Sequence, residues 1–228
     1  MTESKARSRN FRILPATPED FLALAEVEAV ANIAATQTPL ESNVSYVMFG
    51  LPSDVCIQNR AKGLEKMLTD DPAMVSYKGV VEDENGQDKI VAWAQWGFYT
   101  EIKPIKEWEN ITWSPPANGE ACNHCIGAMT NIRKKYMSGK RHAFLQVLAT
   151  LPEYRCQGIG STLLKDGIVE AKEKGLNDFF LTASADGHPL YVKFGFKDIE
   201  LVEMDITQFG GVGNANVMAM GRFDSTEV

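Results

Sequence analysis

The sequence predicts an α/β fold on a mixed sheet, from three observations. An apolar run, "HAFLQVLATLP" (142–152), passes through "EYRCQGIG" into a strongly amphipathic segment, the strand-turn-helix order of a βα unit. Two runs rich in Val, Tyr, Trp and Phe flank "EDENGQD", where Asn85-Gly86 is a hairpin signal for antiparallel strands. The chain then closes on two consecutive strand-like runs, "FKDIELVEMDI" and "NANVMAMGRF", which read as a meander.

Taken in order, a polar leader over about residues 1–10 precedes a short strand in "FRILP" and a helix capped near Thr17, with Glu19 and Asp20 in its first turn. Phe21, Leu24, Ala25 and Val27 share one face of that helix. A second helix is predicted across "SDVCIQNRAKGLEKMLTDD", capped by Ser53 or Asp54, with Ile57, Ala61, Leu64 and Leu68 at helical spacing. The hairpin follows, with Trp93 and Trp96 read as core residues on one strand face. From about 99 to 141 the pattern breaks at Pro104, Trp108, Trp113, Pro115 and Pro116, then resumes as a helix over "EACNHCIGAMTNIRKKYM". An insertion of that length rich in Trp reads as an ordered substrate-side wall. The run at 142–152 suits a central strand buried on both faces. After it, Gly160, Leu163, Leu164, Gly167, Ile168 and Ala171 mark a helix that Gly175 stops, "DFFLTAS" a strand, and "HPLYVKFGF" a short helix ended by Gly195.

Length and charge bound the function. At 228 residues the chain suits one elaborated domain, over 11–224. The balance of 23 Lys+Arg against 30 Asp+Glu gives a net charge of -7 with scattered basic residues, which argues against nucleic acid as a partner. No stretch is apolar enough for a membrane span and the leader lacks a signal-peptide core, so a cytoplasmic protein is expected. Cys122 and Cys125 form a CxxC, but no second ligand pair stands at regular spacing, so no metal is expected and the pair reads as two small residues one helical turn apart.

The segment "YRCQGIGSTLLK" carries the chemistry. At a strand-to-helix junction the N–H groups of Gln157, Gly158, Ile159 and Gly160 fall among the unpaired donors of a first helical turn, at the positive end of the dipole. Glycines 158 and 160 let a diphosphate approach the backbone, and Arg155 is placed to add a charge-assisted contact. A Walker loop is excluded because Ser161 follows Gly160 where lysine is needed; a dinucleotide fingerprint lacks its third glycine, since Leu163 stands there.

Arg155-Cys-Gln-Gly158-Ile-Gly160 resembles the Gln/Arg-x-x-Gly-x-Gly/Ala acetyl-CoA signature of the GNAT superfamily of N-acetyltransferases. Upstream "LQVLATLPEYR" is similar to that family's cofactor strand and the turn after it, and "LTASADGHPLYVKFGF" to its Ser/Asn-x6-Tyr-x-x-x-Gly-Phe segment. "KYMSGKRHAFLQVLATLP" and "VAWAQW" look like its fungal branch, whereas 99–132 match nothing comparable. The resemblance implies a mostly antiparallel central sheet flanked by helices, with acetyl-CoA bound where the strands splay after the central strand. It implies that the backbone of Leu148, Ala149 and Thr150 pairs with the pantetheine amides as an added strand would. The loop Arg155, Cys156, Gln157, Gly158, Ile159, Gly160 and Ser161 would take the pyrophosphate, and Ser184 stands where many members carry an asparagine.

By the same resemblance Tyr191 is the proton donor to the departing thiolate, a phenol near pKa 10 serving a thiol near about 8.5. The alternative for Tyr191 is a packing role beside Phe194 and Phe196. No base is assigned: Phe144 and Gln146 occupy the inward positions, Gln146 could order a water, and His142 and His188 are alternatives. The expected activity is acetyl transfer from acetyl-CoA to a primary amine, of a small molecule or a peptide, with homodimerisation open. Two competing readings stand beside it: a catalytically silent acyl-CoA-binding regulatory module and a dinucleotide-binding oxidoreductase domain.

Overall fold

A computed structural model describes residues 10–34 and 38–224. Almost all of the predicted polar leader lies outside the described residues. The elements in chain order are β1 (Phe11–Pro15), α1 (Phe21–Ile33), α2 (Val44–Phe49), α3 (Asp54–Asp70), β2 (Met74–Glu82), β3 (Asp88–Tyr99), α4 (Gly119–Met137), β4 (His142–Thr150), α5 (Ile159–Glu173), β5 (Asp178–Ala183), α6 (His188–Lys193), β6 (Lys197–Asp205) and β7 (Asn214–Phe223). They form one seven-stranded sheet in the order β1-β2-β3-β4-β5-β7-β6. Every pairing is antiparallel except that of β4 with β5.

Local chemistry explains most boundaries. Thr17 heads a 3-10 turn, Pro18–Asp20, rather than α1 itself; the Asp20 carboxylate accepts from Thr17 N at 2.8 Å and pairs with Lys78 on β2 at 2.7 Å. Ser53 caps α3 by accepting from Cys56 N, and Asn118 caps α4 by accepting from Ala121 N. The sequence did not announce α2: six residues are too few to show a period, and the helix rests on Asn43, whose side-chain oxygen accepts from Ser45 N and Tyr46 N.

The two faces of the sheet carry different helices. On β2, Lys78 reaches the start of α1 while its neighbour Tyr77 hydrogen-bonds Glu170 of α5, so α1 and α5 lie on opposite faces. Leu163 and Leu164 of α5 are fully buried, each worth about 1.5–3 kcal/mol of apolar burial. Gly167 brings the helix so close that a Cβ there would stand 2.2 Å from the Trp96 ring. On β5, Phe179 packs towards α6 through Phe196, while Phe180 joins Ile132 and Met137 of α4 on the other side.

Two expectations about the sheet need correcting. Trp93 and Trp96 are both fully buried, but they sit three residues apart on a regular strand and therefore face opposite sides. β4 is not buried on both faces throughout: Gln95 pairs with Val147 and Trp96 with Leu145, which leaves Gln146 as an exposed bulge residue. Beyond that bulge β4 parts from β5, which pairs only with Ala143–Leu145. The sheet thus splays.

The insertion is ordered around Asn123 of α4, which donates to Ile111 O and accepts from Ile111 N and Trp113 Nε1. Farther along α4, the Arg133 guanidinium lies between the Tyr99 and Phe144 rings, 4.3 and 4.2 Å from their centroids.

Candidate active site

The splay and the loop after β4 define the site. From Gln146 to Thr150 the edge of β4 that faces β5 has no strand partner among the described residues, an arrangement that suits an extended ligand. This stretch contains Leu148, Ala149 and Thr150. A 3-10 turn, Pro152–Tyr154, then carries the chain to Cys156 at φ 59 and Gly158 at φ 89. Gly158 is the N-cap of α5, and its carbonyl accepts the bond from Thr162 N at 2.9 Å. The N–H groups of Ile159, Gly160 and Ser161 precede that bond and make the first-turn donor set. Cys156 adopts a left-handed conformation that a residue with a Cβ seldom takes, so the loop holds strain where a phosphate would sit.

Space at the glycines fits a diphosphate. A Cβ added to Gly158 would meet only Phe11, 4.0 Å away, and one at Gly160 would lie 3.5 Å from Thr150 Oγ1 and 3.9 Å from Leu190 of α6. The end of β4, the start of α5 and α6 therefore converge. Ser184 is beside them: its Oγ accepts from Gly187 N at 3.3 Å, and a Cβ at Gly187 would be 3.0 Å from the Tyr191 ring and 3.5 Å from that Oγ. Tyr191 is 7% exposed, with its ring edge-on to Phe196 at 6.1 Å. Burial pushes its phenol well above the usual value, which keeps the hydroxyl protonated at any working pH. No hydrogen bond to that hydroxyl is found among the described residues.

Arg155 has other partners than the phosphate the sequence led us to expect. Its guanidinium donates to the carbonyls of Ala31 and Ala34 at the end of α1, each at 2.8 Å, and to Thr150 O at 3.4 Å. The histidines are also engaged. His142 donates from Nδ1 to Lys140 O at 2.9 Å, because a carbonyl can only accept, and its Nε2 accepts from Arg133; burial first, then the facing guanidinium, lowers its pKa to about 4. His188 pairs with Asp198 at 2.7 Å and ties α6 to β6. Cys122 and Cys125 are fully buried, and burial raises their thiols to about 12 and about 11, so they pack as neutral side chains. Among the described residues no group of three or more His, Cys, Asp or Glu side chains is placed to hold a metal ion, and no helix is long and apolar enough to cross a membrane.

The comparisons bear on the family and the fold. The model of the acetyltransferase (GNAT) family matches residues 74–196, which run from β2 through α6. The chain belongs to the GNAT acetyltransferase family, and acetyl transfer is its chemistry. Among solved structures it is similar to a Corynebacterium glutamicum protein described as histone acetyltransferase HPA2 and related acetyltransferase, with TM-score 0.57 and 20% identity over 96% of this chain and 98% of that one. It is similar to YncA of Salmonella typhimurium, a putative acetyltransferase solved with its cofactor acetyl-CoA, with TM-score 0.54 and 15% identity over 96% of each chain. A third is the ribosomal-protein-alanine N-acetyltransferase of Brucella melitensis, with TM-score 0.53 and 20% identity over 93% and 99%. At these identities the likeness is one of fold. No curated protein matches the chain by sequence.

Proposed function

We propose that residues 11–224 form one amine N-acetyltransferase domain that uses acetyl-CoA as co-substrate. The observation that carries this reading is the convergence of an unpartnered β4 edge, a bare helix N-terminus and the buried phenol of Tyr191. Leu148, Ala149 and Thr150 would pair with the pantetheine arm, and the backbone from Cys156 to Ser161 would hold the pyrophosphate. Ser184 is near enough to Gly187 and Tyr191 to border the same groove. Bound acetyl-CoA supplies an activated thioester for direct attack by the amine.

Tyr191 acts as the proton donor. As the C–S bond breaks the thiolate would take the Tyr191 proton, and the phenolate, which burial disfavours, would recover a proton from the acylated amine through water. The amine must lose a proton on the way. Because His142 and His188 are both tied into packing contacts, a water held at exposed Gln146 is the route this site offers. The insertion between β3 and β4 supplies one wall of the acceptor side through α4, whose Met129 sulfur lies 3.9 Å from Thr182 Oγ1 on β5. A primary amine of a small molecule or peptide is the acceptor class.

The test is release of free thiol from acetyl-CoA across a panel of primary amines, antibiotics and peptides. Saturable, amine-dependent release with a mass gain of one acetyl group on the amine is the expected result. Tight acetyl-CoA binding with no release for any amine would leave acyl-CoA binding as the function.

A further inference from the structure

We propose that Arg155 is a positioning residue that fastens the end of α1, the cap of α2 and the β6–β7 turn to the cofactor loop, so that CoA binding sets these elements in place. The proposal rests on the reading of Cys156 to Ser161 as the cofactor loop. Its basis is a continuous set of hydrogen bonds that begins at that loop and ends on the far side of the splay.

The first link is the guanidinium itself. Arg155 stands directly before Cys156, its side chain is 30% exposed, and its donors go to Ala31 O, Ala34 O and Thr150 O, with Asp186 Oδ2 4.0 Å from Nη1. Ala31 is in the last turn of α1 and Ala34 follows it, where carbonyls have no intrahelical donor and the helix dipole favours a cation. A rigid planar fork can satisfy both carbonyls at once; an ammonium group could not hold the same pair in one plane.

The second link leaves the same helix end. Asn43, only 6% exposed, donates from Nδ2 to Asn32 O at 2.8 Å, while its Oδ1 caps α2 through Ser45 N and Tyr46 N. The α1 terminus is thus gripped on one side by the cofactor loop and on the other by the cap of the next helix. The third link is one residue earlier. Ser42 Oγ donates to Val212 O and Val212 N donates to Glu41 O, both at 2.8 Å, which joins the segment before α2 to the turn between β6 and β7. That turn packs on α2 as well: a Cβ at Gly211 would stand 2.9 Å from Val47.

Cofactor loop, α1 terminus, α2 cap and β6–β7 turn are therefore one bonded series, and Arg155 is its only side-chain tie to the loop among the described residues. A ligand that orders the strained segment at Cys156 removes freedom from Arg155 and from each later member. Amide exchange reads such coupling directly.

The experiment pairs calorimetry with amide hydrogen exchange on wild type, Arg155→Ala, Arg155→Lys and Asn43→Ala, with CoA as the probe. In the wild type CoA should slow exchange at the Ser45, Tyr46 and Val212 amides by roughly tenfold or more. All three variants should bind CoA within about threefold of wild type. Both Arg155 variants should lose the CoA-dependent slowing at all three amides, and Asn43→Ala should lose it at Val212. Should Arg155→Ala fail to fold, Arg155→Lys and Asn43→Ala still decide the matter. The proposal is overturned if CoA affinity drops more than about tenfold in the Arg155 variants, the mark of a direct phosphate contact, or if the slowing persists in them. A wild type that does not bind CoA at all would instead bring down the cofactor-loop reading, and this proposal with it.

Discussion

Helices α5 and α4 flank the same strand, one leaving β4 and one leading into it, and they are fastened to opposite faces of the sheet by different physics. α5 docks by shape: Gly167 admits the Trp96 ring at a distance no other residue allows, and Leu163, Leu164 and Ile168 fill the remaining space. α4 also buries Ile132 and Met137 beside Phe180, but it adds a polar tie in an aromatic frame, Arg133 between Tyr99 and Phe144, where His142 stacks on Tyr99 at 4.9 Å. The shape-packed side carries the first-turn backbone donors of α5 and the buried phenol of Tyr191. The polar side holds an insertion in place. The lesson is that a face proposed to do chemistry can offer its donors from main chain at a helix N-terminus rather than from polar side chains.

The largest test of that contrast is Tyr191→Phe. Deleting the proton while keeping the ring should lower turnover on any accepted amine by about 10²–10⁴-fold, with acetyl-CoA affinity and melting temperature nearly unchanged. Equal turnover under conditions where chemistry limits the rate would return Tyr191 to packing beside Phe196.

Next in size is Gly167→Val. A branched side chain against Trp96 should destabilise the protein by about 3 kcal/mol or more, read as a lower urea midpoint. Gly158→Val and Gly160→Val face open space or loose neighbours and should cost acetyl-CoA affinity by roughly tenfold or more in calorimetry. At Gly158 the left-handed φ adds backbone strain. If all three variants lost stability alike and none lost cofactor, α5 would have no ligand-facing end.

The α4 side answers to pH. His142 is held neutral by burial with its pKa lowered to about 4, so below the unfolded value of about 6.5 the unfolded chain binds a proton that the native state refuses. Stability is therefore full above that value and lost as pH falls towards about 4, by up to about 3 kcal/mol. His142→Gln should flatten this limb in chemical denaturation series from pH 7 to pH 4. An unchanged slope would mean that burial of His142 does not exclude the proton.

The smallest effect is at Cys156. Asparagine tolerates the left-handed region better than cysteine, so Cys156→Asn should raise stability by about 0.5 kcal/mol, measured as a small gain in melting temperature. A loss would show that the loop is not strained there.

What the sequence determined by itself is local. The Asn85-Gly86 hairpin, the cap at Ser53, the periodic face of α5 and the glycine loop from Arg155 to Ser161 depend on residues within one or two turns of each other, and their order was enough to point to the family. The tertiary structure decided what depends on distant partners. Nothing near Arg155 in sequence reveals that the carbonyls at the end of α1 would claim its guanidinium, nor near His142 that Arg133 would face it. The bulge at Gln146 exists only as a register between β3 and β4, and the parting of β4 from β5 only as a missing partner. Period and capping are written into adjacent residues, whereas a side chain's hydrogen-bond partner is whichever unsatisfied group the finished fold brings within about 3 Å.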